Sequence, residues 1–287
     1  MTFLRKSWYC ARTAYTSWLL NYRMLVLGFV FMFMFTYFIK PMQELSRVFD
    51  TPMNVLEPFC AVVNSRTFLP LVIMGYMVLI SDFPRLNDSA AFMLFRSGRL
   101  PWLCGQIMFL FMSSLTYILS ILFSSMVCVA SNSFMLNAWS LVQRKYWLAD
   151  DAVKQAHAFA GIDNSVLRQS RPYEALAHGI SLVLLFAVTV GCVQLVFALR
   201  QKKVISVFIN ISGIAAGLIM LIVDIRLKWL FPISNCVFAW HYHSMFNYVL
   251  FPIQYSYIYF VSLIAVLIIL LWRMAKSCSL YATGGTE

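Results

Sequence analysis

The sequence predicts an all-α polytopic membrane protein with six transmembrane helices, an N-terminal interfacial amphipathic helix and one short cytoplasmic helix. Three observations carry that prediction. Charges fall in clusters separated by uncharged runs of crossing length, of which Val204 to Val223, flanked by Lys202, Lys203 and Asp224, is the cleanest. A bilayer core takes roughly 20 apolar helical residues, and a charge at its centre costs several kcal/mol. Composition agrees: hydrophobic residues make up 61% and charged residues 11%, about half the charge of an ordinary soluble domain. Finally, once the runs are threaded through a membrane, both sides hold similar numbers of basic residues, but eight of the eleven acidic residues fall on one side and leave the other strongly basic.

Residues 1–23 precede the first run. Leu4, Trp8, Ala11, Tyr15, Trp18 and Tyr22 recur at helical spacing, and Arg5, Arg12, Thr16 and Arg23 form an adjoining polar strip. The pattern predicts a helix in the interface plane, with Trp8, Tyr15 and Trp18 in the acyl boundary and Arg5 and Arg12 at the lipid phosphates. No small-residue cleavage pattern follows this basic stretch, so it is not read as a signal peptide.

Residues 24–287 read as a single six-helix domain with spans at about 24–39, 64–81, 101–129, 180–199, 204–223 and 255–272. The second span is short, because Glu57 and Arg66 interrupt any extension backwards. It is read as tilting little, thinning the membrane locally, or being preceded by a half-inserted segment around Phe59 to Val63. Leu100 to Gln143 contains no ionisable residue, too much for one crossing and too little for two with a loop. Trp102 to about Val129 is assigned to the helix. Ser131 to Gln143 then becomes an interfacial or re-entrant piece, with Asn132, Asn137 and Trp139 near headgroup depth. Residues 131–177 form an outer loop. Residues 224–254, which include Pro232 and Pro252, form an outer cap with a helix broken and re-entering before the last span.

With the N-terminus in the cytoplasm, the inner side holds Arg5, Lys6, Arg12, Arg23, Arg85, Arg96, Arg99, Arg200, Lys202, Lys203, Arg273 and Lys276 against only Asp82, Asp88 and Glu287. The positive-inside rule weighs short loops most, so the Arg200–Lys203 turn decides the orientation. The expectation is a multi-pass protein of the cell membrane with both termini cytoplasmic. The net charge of +11 is then a product of topology, and no nucleic-acid partner is expected.

One inner loop, Asp82 to Pro101, is both compact and patterned. Pro84 stops the second span, Asp88 or Ser89 can cap a short helix, and Gly98 ends it. Arg96 and Arg99 sit where cations suit a helix C-terminus, and Pro101 fits the first turn of the next span. The product is a short helix with an apolar face of Phe92, Met93 and Phe95, a rigid knob presented to the cytosol.

These features together resemble an ABC-2-type permease, the membrane-spanning subunit of an ABC exporter. The phrases Leu-Ile-Ser-Asp-Phe-Pro-Arg (79–85) and Phe-Arg-Ser-Gly-Arg-Leu-Pro-Trp-Leu-Cys-Gly-Gln (95–106) are similar in texture to half-size permeases of Gram-positive bacteria. In architecture the resemblance covers nearly the whole chain. It implies that Pro84, Arg85, Ser89, Phe92, Met93, Phe95, Arg96 and Arg99 form an ATPase-coupling helix. The sequence has no G-x-x-x-x-G-K-[ST] loop, so the chain is expected to bind no cofactor and to hydrolyse nothing itself. ATP and Mg would sit on separate ABC ATPase subunits, and a second permease chain, identical or related, would complete the path. The polar residues of the spans, among them Gln106, Ser113, Thr116, Gln194 and Asn210, are uncharged, which suits an amphipathic cargo such as a peptide, drug or lipid.

Smaller patterns carry other readings. Gly213 and Gly217 form a small-xxx-small patch suited to helix packing. His241 and His243 stand together, but catalytic zinc takes three protein ligands and only Cys236 is near in sequence, so no metal is expected. They support an alternative, an intramembrane lipid or acyl transferase with Asp224 as the only candidate partner. A non-transporting membrane partner subunit is a third reading. Cys60 and Cys236 could both face outward, which leaves a bridge open.

Overall fold

The uncharged runs fold as long helices, and the computed structural model describes residues 2–84, 88–243, 246 and 248–277, without the side chains of 85–91 and 277. Helix α1 (Phe3–Leu19) leads through a 3-10 turn into α2 (Leu25–Met34), a π turn (Phe35–Ile39) and α3 (Lys40–Val48). The first span therefore runs past its expected end at Ile39. Pro41 has no N–H to give the preceding turn, and the π turn absorbs that gap without ending the helix.

The second run breaks in two. Helices α4 (Glu57–Asn64) and α5 (Phe68–Leu79) meet at 87°. The twelve residues of α5 rise about 18 Å, short of the hydrocarbon core. Helix α4 covers Phe59 to Val63, and all eight of its residues are buried. Helix α6 (Asp88–Ser97) follows, then α7 (Arg99–Val129). Between them Gly98 adopts φ 89°, a left-handed conformation that a side chain resists, and its N–H donates to the Leu94 carbonyl to close α6.

Residues 131–177 are more ordered than an outer loop implies. They carry α8 (Leu141–Leu148), α9 (Asp151–Ala156) and α10 (Asn164–Gln169). A two-residue parallel ladder joins β1 (Met53–Asn54) to β2 (Ser133–Phe134). Helix α11 (Pro172–Leu199) begins well before the expected Ile180, because Pro172 occupies its first turn and the Glu174 carboxylate accepts the Arg171 N–H. Helices α12 (Lys203–Ile222), α13 (Pro232–Cys236) and α14 (Ile253–Ser277) complete the chain.

Among the described residues five helices are long and apolar enough to cross a membrane: Tyr22–Val48, Arg99–Asn132, Pro172–Leu199, Lys203–Ile222 and Ile253–Lys276. Helix α11 is enclosed over most of its length, while α12 and α14 are largely exposed. Small residues make that enclosure possible. Ala175, Gly179, Ala187 and Gly191 let neighbours approach closely, and Gly191 sits against the Leu110 side chain.

Candidate functional site

Segments far apart in sequence bring their charges to one end of the bundle. The Arg23 guanidinium, at the start of the first long helix, lies 2.7 Å from the Asp82 carboxylate and also donates to Ser81 Oγ. Lys203, opening α12, donates to the carbonyls of Asp82 (3.3 Å) and Pro84 (3.2 Å). Arg99 donates to the Lys276 carbonyl at 3.4 Å. All these residues belong to the inner side assigned from charge counting. The segment leading into α6 is thus braced from two helices, and Pro84 is buried beneath it.

On this base α6 presents Phe92 and Phe95, 68% and 66% exposed, with Arg96 exposed beside them. Met93 and Leu94 turn the other way and pack on the core. The sequence grouped Met93 with the two phenylalanines on one face, and the structure corrects that grouping. One residue of helix advances about 100°, so Phe92 and Met93 diverge while Phe92 and Phe95 stay together. Arg99 is half-buried at the start of α7. Arg85 and the Ser89 side chain lie outside the described residues.

Helix α1 lies against α7, and its aromatic stripe splits between two environments. Trp8 is exposed, as are Arg5, whose guanidinium lies over the Tyr9 ring, and Arg12. Trp18 is buried: its indole N–H donates to the Leu79 carbonyl at 3.1 Å and its ring meets Phe109 edge-on. The Tyr15 and Thr116 hydroxyls stand 2.9 Å apart. Tyr15 and Trp18 therefore face protein where a lipid boundary was expected, because Gly105 lets the α1 backbone come close. Between α1 and α6 opens a groove of about 600 Å³ lined by Lys6, Tyr9, Thr13, Met93 and Arg96. The charged side chains on its wall among the described residues, Lys6 and Arg96, are both cationic, so the groove suits an acidic or amphipathic partner.

The polar residues inside the spans tie helices together. Gln194 donates to the Met77 carbonyl and Asn210 to the Val190 carbonyl. Ser113 meets the Tyr76 hydroxyl at 3.0 Å. Gly217 lies against Ile233 and Phe231, whereas a side chain added at Gly213 would meet nothing within 4 Å. The small-xxx-small patch therefore has one partnered and one open glycine.

At the opposite end the two histidines part company. His241 is fully buried, with Nδ1 3.1 Å from the Val237 carbonyl and Nε2 2.7 Å from Ser256 Oγ, which in turn donates to Asn235 Oδ1. Burial holds its imidazole down to about 4, so it is neutral at ordinary pH. His243 instead accepts the Phe246 N–H. Asp224 is bonded to Lys228, which lowers its carboxyl below the usual range, and it partners neither histidine. Sequence reading missed Ser256 because it lies fifteen residues beyond His241 in a different element. That serine is fully buried, so the pair is sealed from any substrate. Among the described residues no three His, Cys, Asp or Glu side chains gather as a metal site, and Cys60 and Cys236 are free buried thiols. No family profile, curated protein or solved structure matches the chain.

Proposed function

We propose that this chain is the membrane-spanning permease subunit of an ATP-driven ABC exporter. It works with a second permease chain and with separate ATPase subunits that hold ATP and Mg. The observation that carries the proposal is α6: a ten-residue helix set between the short α5 and the long α7, with Lys203 and Arg23 holding Ser81 to Pro84 ahead of it and an aromatic pair and Arg96 turned outward at the charge-rich end. An exposed Phe92–Phe95 pair on a braced helix is a surface able to receive force from a soluble partner. The positive-inside rule puts that end in the cytoplasm of the cell membrane, with both termini.

The six-span count follows if α4 and α5 together make one broken crossing. Irregular backbone at membrane depth is tolerated where protein encloses it, and α4 is enclosed on all sides. Several polar side chains of the spans, among them Tyr76, Gln194 and Asn210, bond between helices of one chain, so a path for cargo is best placed between two chains. The largely exposed α12 and α14 are the helices available for that seam. Walls of this composition suit an amphipathic peptide, drug or lipid.

The test is purification of the tagged protein from its native membrane. A Walker-motif ATPase should accompany it and turn over faster in its presence. Arg96→Glu combined with Arg99→Glu should release that ATPase or abolish the stimulation while the chain stays folded. Undiminished stimulation by the double variant overturns the coupling assignment. The transferase alternative would have to use the His241–Ser256 contact, and the burial of both residues counts against it. It requires that His241→Ala with His243→Ala abolish function, where the permease reading expects transport to persist.

A further inference from the structure

We infer that the cavity at the cap end, beside α12, binds the phosphate headgroup of a membrane amphiphile. The cavity measures about 990 Å³, within the range of small-molecule sites. Its wall takes Arg66 from the break between α4 and α5, Arg226 and Lys228 from the turn after α12, and Trp240 from the cap. Two carboxylates also line it, of which only Asp224 is paired with a cation, so the wall keeps two unpaired guanidiniums against the one charge of Asp163. Asp224 is bonded to Lys228, and Asp163 accepts the backbone N–H and hydroxyl of Ser165. Among the described residues neither Arg66 nor Arg226 has an ion pair. The Arg66 guanidinium rests 5.9 Å over the Trp240 ring. Trp240 itself is only 8% exposed, and its indole N–H is buried with no hydrogen-bond partner. Two guanidiniums without a counter-ion on one cavity wall form an anion site, with the indole of Trp240 packed beneath one of them. The planar fork of arginine matches phosphate oxygens in pairs.

The apolar side of the cavity decides what carries the phosphate. Leu221 and Ile222 line it at the end of α12, where Ile219, Ile222 and Val223 continue outward as exposed apolar surface. Acyl chains can lie along that flank while the headgroup enters sideways between Arg66 and Arg226. A free phosphate would use the guanidiniums alone. The inference requires nothing of an ATPase and stands apart from the permease reading.

The experiment uses the full-length protein in uncharged detergent micelles, titrated with short-chain phosphatidylglycerol and read by quenching of its tryptophan fluorescence. Short-chain diacylglycerol and inorganic phosphate serve as separate arms. Phosphatidylglycerol should bind saturably and more tightly than either. Arg66→Gln with Arg226→Gln should weaken it by about tenfold or more, the loss expected from two charge-assisted bonds. Should that variant misfold, Arg66→Lys with Arg226→Lys keeps both charges and should still bind several-fold more weakly, because the fork is gone. Unchanged affinity in a folded double variant, or equal binding of diacylglycerol, overturns the anion site. Inorganic phosphate binding as tightly as the lipid overturns the amphiphile assignment.

Discussion

Glu57→Ala should loosen the cap end selectively, by an amount that can be worked from its contacts. The Glu57 carboxylate accepts the Ser140 N–H at 2.7 Å, the Ser140 hydroxyl at 2.8 Å and the Asn54 N–H at 3.2 Å, and the residue has no exposed surface. Alanine leaves three buried donors unpaired, each costing about 1–3 kcal/mol, for a gross loss of roughly 3–9 kcal/mol. Removing a buried carboxylate also lifts a desolvation penalty of several kcal/mol. The orphaned donors outweigh that relief because all of them stay buried, and the net loss should be about 2–4 kcal/mol. Glu57→Gln keeps the shape and one acceptor but turns an NH₂ toward a donor, so it should fall between. Denaturant unfolding of the full-length protein in lipid nanodiscs measures the difference. Hydrogen exchange places it: protection should fall across α4 and Leu141–Leu148 and hold in α6. An alanine variant as stable as the parent would refute the reasoning, as would a loss of protection spread evenly over the chain.

Other consequences are separable. The His241 imidazole is held down to about 4 from its ordinary 6.5, so the unfolded chain takes up the proton first. Its contribution to stability is complete above about pH 6.5 and is lost as pH falls toward 4, by up to about 3 kcal/mol. His241→Gln should flatten that part of the melting-temperature profile, and parallel curves for parent and variant would contradict it. At Gly105 a Cβ would stand 2.6 Å from Cys10 Cβ and 2.7 Å from the Ser7 carbonyl oxygen. Gly105→Ala should therefore push α1 off α7 and cost about 1–3 kcal/mol, seen as faster exchange in α1. Gly217→Ala should destabilise through Ile233 and Phe231, while Gly213→Ala, with nothing within 4 Å, should leave the melting temperature unchanged.

The spans were legible because a crossing is specified by one quantity, the length of chain free of charge. That quantity locates α12 to within a residue and the start of α7, whereas the uncharged run continues to Gln143, well past the end of α7 at Val129. Gly98 was legible for a similar local reason, since only its own backbone conformation is at stake. Residues 131–177 were not. Helix α8 is held by Ser140 bonding to Glu57, and by the Gln143 side chain, which donates to the Ala160 carbonyl and accepts the Ile162 N–H. Those partners are distant in sequence or depend on a local turn, and no periodicity announces either. Glu57 read as an interruption of a span is in fact the acceptor that organises this region.

The aromatic stripe of α1 exposes a deeper limit. Periodicity identifies an apolar face, and a lipid tail and a neighbouring helix are equally apolar, so the pattern alone cannot choose between them. The choice is made by the polar tips. A buried indole N–H must find an acceptor, and at Trp18 that acceptor is the Leu79 carbonyl at the end of α5, whose last turn leaves its carbonyls without intrahelical donors. Trp8 has no such neighbour and stays exposed. The same helix thus presents one tryptophan to protein and another to its surroundings, and what separates them is the C-terminal end of α5, whose carbonyl stands beside Trp18.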